Sequence, residues 1–209
     1  MVKTRICVIL LFCAVGLFKN VSCSQSGNTL RLSDADFGYY AVNVVQHEST
    51  IDRSDPKNPV TNYYNMFLDG TTKISASYAT SYLGLPVYPS AGASACVLQS
   101  YTITWRCNPS TQKIPPTSGG LGEVVPGSPD GKSQVTFSIV AVPAATKETC
   151  TALVNLEADH SSGVYTNGQL TALGTLTVNG VDLLTGQAVT ASAYINALFA
   201  DYNNDKTTH

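Results

Sequence analysis

Residues 137–154 read FSIVAVPAATKETCTALV, and the rhythm of the chain changes at Pro143. Before it, Phe137, Ile139 and Ala141 alternate with Ser138 and Val140, the period of a strand. After it, Cys150, Leu153 and Val154 fall at helical spacing. Proline lacks an N–H and cannot continue a ladder, so the strand stops there, and Thr146 is placed to cap a helix that runs to about residue 157. A chain built around this joint combines sheet and helix.

A second strand is as plain. Tyr101, Ile103 and Trp105 alternate with Thr102, Thr104 and Arg106. Farther on, Leu176 and Val178 precede Asn179-Gly180, and Val181 and Leu183 follow it; Asn-Gly between apolar alternations predicts a tight hairpin. Other stretches carry helical spacing. Ser33 can cap a segment whose apolar stripe is Phe37, Tyr40, Ala41, Val44 and Val45, which predicts an amphipathic helix over 34–48, with a strand as the competitor because of Gly38 and the valines. Ala191, Ile195, Leu198, Phe199 and Tyr202 share one helical face near the C-terminus. Residues 49–62 read as loop from their prolines and turn formers. Residues 108–133, rich in Pro and Gly, predict a long surface loop with at most a short strand at 123–125. The expected fold is α+β: an antiparallel sheet packed with an N-terminal amphipathic helix and one or two C-terminal helices.

The chain opens with MVKTRICVILLFCAVGLFKNVSC, in which Lys3 and Arg5 precede an apolar run from Ile6 to Phe18 and small residues lie near Ser22 to Ser24. That predicts a secretory signal over 1–24 and a single domain over 25–209, secreted, periplasmic or at the cell surface. The run is shorter than the roughly 18 to 20 residues that span a bilayer as a helix, so no membrane span is expected in the mature chain. Only 12% of residues are charged and the formal net charge is -2, which excludes a basic nucleic-acid footprint.

Removal of the signal takes Cys7 and Cys13, and with cleavage after it Cys23, leaving Cys96, Cys107 and Cys150 as disulfide candidates. An odd count outside the cytoplasm implies one disulfide plus a thiol, or an intermolecular bridge. If the residues between Cys96 and Cys107 form one straight strand, their sulfurs stand ~35 Å apart, so a bond between them needs a turn near Gln99 and Ser100. Otherwise Cys150 pairs with one of them, Cys107 being preferred.

Catalytic chemistry finds no constellation. His47, His160 and His209 are scattered, no H-E-x-x-H, C-x-x-C or G-x-S-x-G occurs, and Asp159-His160-Ser161 are adjacent in sequence, a poor geometry for a triad. No catalytic residue, metal ligand or cofactor motif is assigned. Tyr63, Tyr64, Tyr78, Tyr82, Tyr88 and Trp105 are candidate binding residues, since their rings offer an apolar face with a polar tip to sugars and protein partners; the alternative is that they are ordinary sheet residues.

From Gly119-Gly120 the chain runs through Val-Val-Pro-Gly, QVTFSIVAVP, Cys150, Leu153-Val154 and TLTVNG. In these motifs residues 117–184 resemble the C-terminal half of type IVb pilin globular domains. The resemblance implies a strand leading through Val-Pro to a helix with a disulfide cysteine, and a sheet packed on an N-terminal helix, the part open to residues 34–48. Residues 185–209 hold no cysteine, so the partner it implies for Cys150 is Cys96 or Cys107. Together these readings give an exported, surface-associated structural or adhesive protein with a pilin-like globular module, acting through protein partners or self-assembly. The alternatives are a secreted carbohydrate- or receptor-binding module using residues 63–88, and a secreted hydrolase with dispersed acids.

Overall fold

The computed structural model describes residues 28–34, 40–80, 94–128, 131–156 and 168–201. Eleven strands and two short helices follow in the order β1 (Thr29–Asp34), β2 (Tyr40–Asn43), β3 (Gln46–Asp52), β4 (Val60–Met66), β5 (Gly70–Ala79), β6 (Ala95–Asn108), β7 (Thr117–Gly120), β8 (Val124–Ser128), β9 (Gln134–Val142), α1 (Ala144–Thr149), α2 (Thr151–Val154), β10 (Gln169–Asp182) and β11 (Ala188–Ala200). Nine strands form one sheet in the order β1-β5-β8-β6-β10-β11-β2, with β7 on β6 and β9 on β5; β3 and β4 form a separate ribbon.

The nine-stranded sheet curls because β8 changes partners. Val124, Val125 and Pro126 pair with β6, whereas Gly127 and Ser128 pair with the end of β5. At this corner the chain passes so close to its neighbour that a Cβ on Gly127 would lie 1.9 Å from the Ser94 carbonyl oxygen. The curl brings β1 alongside β11 and makes a half-barrel. Inside it, Ile74, Ala76 and Tyr78 of β5 pack with Leu98 and Ile103 of β6, Leu176 and Val178 of β10, and Ile195 and Phe199 of β11. Each large apolar side chain so buried contributes on the order of 2 kcal/mol.

This mostly-β architecture replaces the expected α+β fold, and with it the pilin-like arrangement of a sheet on an N-terminal helix. Within 34–48, residues 40–43 form β2 and residues 46–52 form β3; Val42, Val44 and Val45 are buried, and β2 lies parallel to β11 with Val42 opposite Phe199. β-branched valines lose little as strand, and the edge of β11 supplies backbone partners that a helix at this place would not use. Residues 35–39 lie outside the described residues.

The expected C-terminal helix is β11. Val189, Ala191, Ala193, Ile195, Ala197 and Phe199 recur every second residue and turn inward, so a period of two accounts for more of the segment than the period of 3.6; Tyr202 is outside the described residues. Asn179-Gly180 is no hairpin turn but sits inside β10, at a register shift against β6. Gly180 is needed there because a Cβ would meet the Val97 oxygen at 2.7 Å and Cys96 Sγ at 2.8 Å. The turn comes later, at residues 183–187, with Gly186 at φ +70°. The expected loop over 108–133 holds β7 and β8, which run along β6 in near continuity: Leu121 N donates to Gln99 O and Leu98 N to Glu123 O across the gap. Residues 129 and 130 are not among those described. The joint at Pro143 does end a strand, although the helix after it is two short pieces, α1 and α2, that meet at Cys150. The signal segment 1–24 and the Asp159-His160-Ser161 stretch lie outside the described residues.

Candidate interaction surface

The ribbon of β3 and β4 stands apart from the half-barrel. Its strands pair antiparallel from Gln46 opposite Met66 to Asp52 opposite Val60, and no other strand pairs with either among the described residues. The connection at its tip is built by two aspartates. Asp52 Oδ1 accepts from Ser54 N (2.9 Å), while Asp55 accepts from Lys57 N (3.0 Å) and from Asn58 Nδ2 (3.0 Å). These bonds favour the charged carboxylates: Ser54 N–H holds Asp52 below its ordinary pKa, and Asn58 does the same for Asp55.

Every residue from Thr50 to Asn62 is exposed. Because successive strand residues point to opposite faces, both faces of the ribbon are in solvent. Val60 (57% exposed) and Tyr64 (48%) lie on one face and Ile51 (55%) on the other. An isolated two-stranded ribbon is at best marginally stable in water, so an arm of this kind needs either an anchored base or a partner.

The base is anchored by α1. The Lys147 ammonium, 4% exposed, donates to the Asn43 carbonyl (2.7 Å), where β2 ends just before the arm begins. Asp69, three residues past β4, accepts from Ala144 N at the start of α1 (2.8 Å). Both roots of the arm are thus held to one helical turn. Between them lies a cleft of about 290 Å³ lined by Tyr40, Asn43, Gln46, Asp69 and Lys147 among others. Burial lowers the pKa of Lys147 against the opposing pull of the Asp69 carboxylate, and burial pushes the Tyr40 phenol up to about 12. The polar groups of this cleft are occupied in holding the arm: the ammonium and the carboxylate each have backbone partners. Among the described residues no group of three or more His, Cys, Asp or Glu could hold a metal ion.

The candidate binding residues separate in space. Tyr63 and Tyr64 are on β4 of the arm, and the Tyr64 side chain is exposed. Tyr78 is wholly buried and its hydroxyl donates to Asp182. Trp105 packs edge-on against Phe199 with ring centres 5.5 Å apart, over Gly174, where a Cβ would come within 2.7 Å of the indole. Tyr78 and Trp105 are therefore sheet residues. Tyr82 and Tyr88 lie outside the described residues.

The three cysteines are buried thiols and not the disulfide expected. Cys96 sits near Asp182, and burial first, then that carboxylate, pushes its thiol up to about 11. Cys107 and Cys150 share one neighbourhood around Lys113 and Ile114: the Cys150 thiol donates to Lys113 O (3.3 Å), and burial followed by the nearby Cys150 raises Cys107, against a backbone bond from Ile114. The preferred pair is thus close in the fold yet unbridged.

Two features escaped the sequence reading. The arm was legible as T-I-D and V-T-N-Y-Y flanking a D-P-K-N-P turn. Asp182 is the other: its buried carboxylate gathers four donors and opens the β10–β11 turn, a role signalled by Asp before L-L-T-G. No protein-family model matches the chain, and no curated protein matches it.

Proposed function

We propose that this chain is an exported, surface-associated structural or adhesive protein that acts through protein contacts made by the β3–β4 arm. The observation that carries this reading is the arm itself, a ribbon whose residues 50–62 are all exposed, paired with no other strand among the described residues and held to α1 at its roots. Strand edges present unpaired N–H and C=O groups and are ready templates for another chain, so proteins usually cover or guard them. An arm that displays two edges, with Ile51, Val60 and Tyr64 on its faces, suits contact by strand addition. The signal-like N-terminus agrees with export. The glycan-binding reading over residues 63–88 loses Tyr78 to the core, and no observation favours it specifically.

Fractionation of the producing cell, comparing the full chain with a variant in which residues 50–62 are replaced by Asn-Gly, tests this reading. Retention of the full chain at the surface and release of the shortened one are expected. A chain found only inside the cell, or equal retention of both forms, would overturn it.

A further inference from the structure

We infer that the arm's partner is a second copy of this chain, joined edge to edge through β4. The inference rests on the reading of the arm as the contact element and specifies what it contacts.

The two edges of the ribbon differ in chemistry. β3 reads QHESTID and carries Glu48 and Asp52. β4 reads VTNYYNM, with no charge, no proline and no glycine. Charge, proline and bulges are the devices by which open edges avoid pairing, and β4 has none of them; its register against β3 is unbroken. Val, Thr and the two tyrosines are strong strand formers. β4 is thus the edge built to accept a strand.

A two-fold axis at Tyr63 fits β4 to itself. Antiparallel pairing about that residue sets Val60 opposite Met66, Thr61 opposite Asn65 and Asn62 opposite Tyr64. No like charges oppose each other anywhere in this register, so self-pairing carries no electrostatic penalty. The contact is isologous, the same patch on both copies, and it closes as a dimer with a four-stranded ribbon at its centre. One seven-residue strand edge buries less than the roughly 1,200 Å² of a stable interface, so the dimer is weak and forms with concentration.

Sedimentation velocity over a concentration series tests this, with circular dichroism confirming that each variant is folded. Asn62→Lys places two ammonium groups near the two-fold axis and is expected to weaken dimerisation at least about tenfold. Thr50→Lys charges the β3 edge and is expected to leave dimerisation unchanged. A wild-type chain that stays monomeric at the highest attainable concentration overturns the inference; if the shortened arm still releases the protein from the surface, the contact is then with a different chain and the proposed function stands. A dimer that survives Asn62→Lys, or that Thr50→Lys weakens equally, also overturns it, since the interface is then not the β4 edge.

Discussion

The Tyr78 hydroxyl on β5 donates to Asp182 Oδ2 at the end of β10, 2.5 Å away and 104 residues along the chain. Asn28 Nδ2 reaches the same oxygen (2.7 Å), and the backbone N–H groups of Leu184 and Thr185 take the other (2.8 Å each). One carboxylate therefore joins the start of β1, the core strand β5 and the β10–β11 turn. Tyr78 and Asp182 are both buried, so the bond between them is screened by water less than a surface bond is. Tyr78→Phe removes one charge-assisted bond and is expected to cost about 1.5–3 kcal/mol. Urea unfolding reads this as a lower midpoint at unchanged slope.

Asp182 also sets an acid limit. Burial alone would raise its pKa, but the hydrogen bonds from Tyr78 and the other donors outweigh it and hold the carboxyl well below the ordinary range. A depressed folded-state pKa contributes stability that is complete above the unfolded value of about 3.9 and is lost as pH falls below it. The stability gap between wild type and Asp182→Asn should be constant between about pH 5 and pH 7 and shrink as the pH falls below about 4. Denaturant titrations at stepped pH that show a constant gap would contradict this account.

Three substitutions locate the turn. Asn179→Thr, in an exposed strand position, is expected to change stability by no more than about 0.5 kcal/mol, whereas an Asn-Gly hairpin would be damaged by it. Gly180→Ala forces a Cβ against the Val97 oxygen and Cys96 Sγ and should cost about 1–3 kcal/mol. Gly186→Ala, at φ +70° with open space around it, should cost about 1 kcal/mol through backbone strain alone.

Lys147→Met keeps the buried stem and deletes the bond to the Asn43 carbonyl. A loss of about 1–3 kcal/mol is expected. Hydrogen exchange followed by mass spectrometry should show faster exchange in 46–66 than in β6 and β10, because one root of the arm is released. Uniform loss of protection across the chain would show that Lys147 holds the whole fold and not the arm.

The thiols make a chemical prediction. Iodoacetamide should react slowly with the native protein, since Cys96, Cys107 and Cys150 are buried and the thiolate is the nucleophile. After unfolding without reductant, peptide mapping should find label on all three. A peptide pair joined through any two of them would refute the unbridged state.

Much of the sheet was legible locally. The alternations at Tyr101 to Arg106 and Phe137 to Ala141 became β6 and β9, and the break at Pro143 holds, because a strand face and a missing N–H are properties of the residues themselves. β11 was legible too, through six small or apolar residues at period two from Val189 to Phe199, but Ala, Leu and Phe also satisfy a helical stripe. Of the candidate binding residues, Tyr64 proved exposed on the arm; no local pattern distinguished it from Tyr78, which faces the core.

By itself the sequence determined the strand rhythm of 101–106 and 137–141, the break at Pro143, and how little charge the chain carries. Tertiary structure alone decided that 40–43 is a strand, because its backbone partners come from Ala197–Ala200 of β11, a segment that no local window contains. It also decided that Asn179-Gly180 runs straight through a strand and that the turn waits for Asp182. A glycine is kept at 180 for what approaches it, Val97 and Cys96 of β6, and that neighbour is brought by the fold and not by the residues beside it.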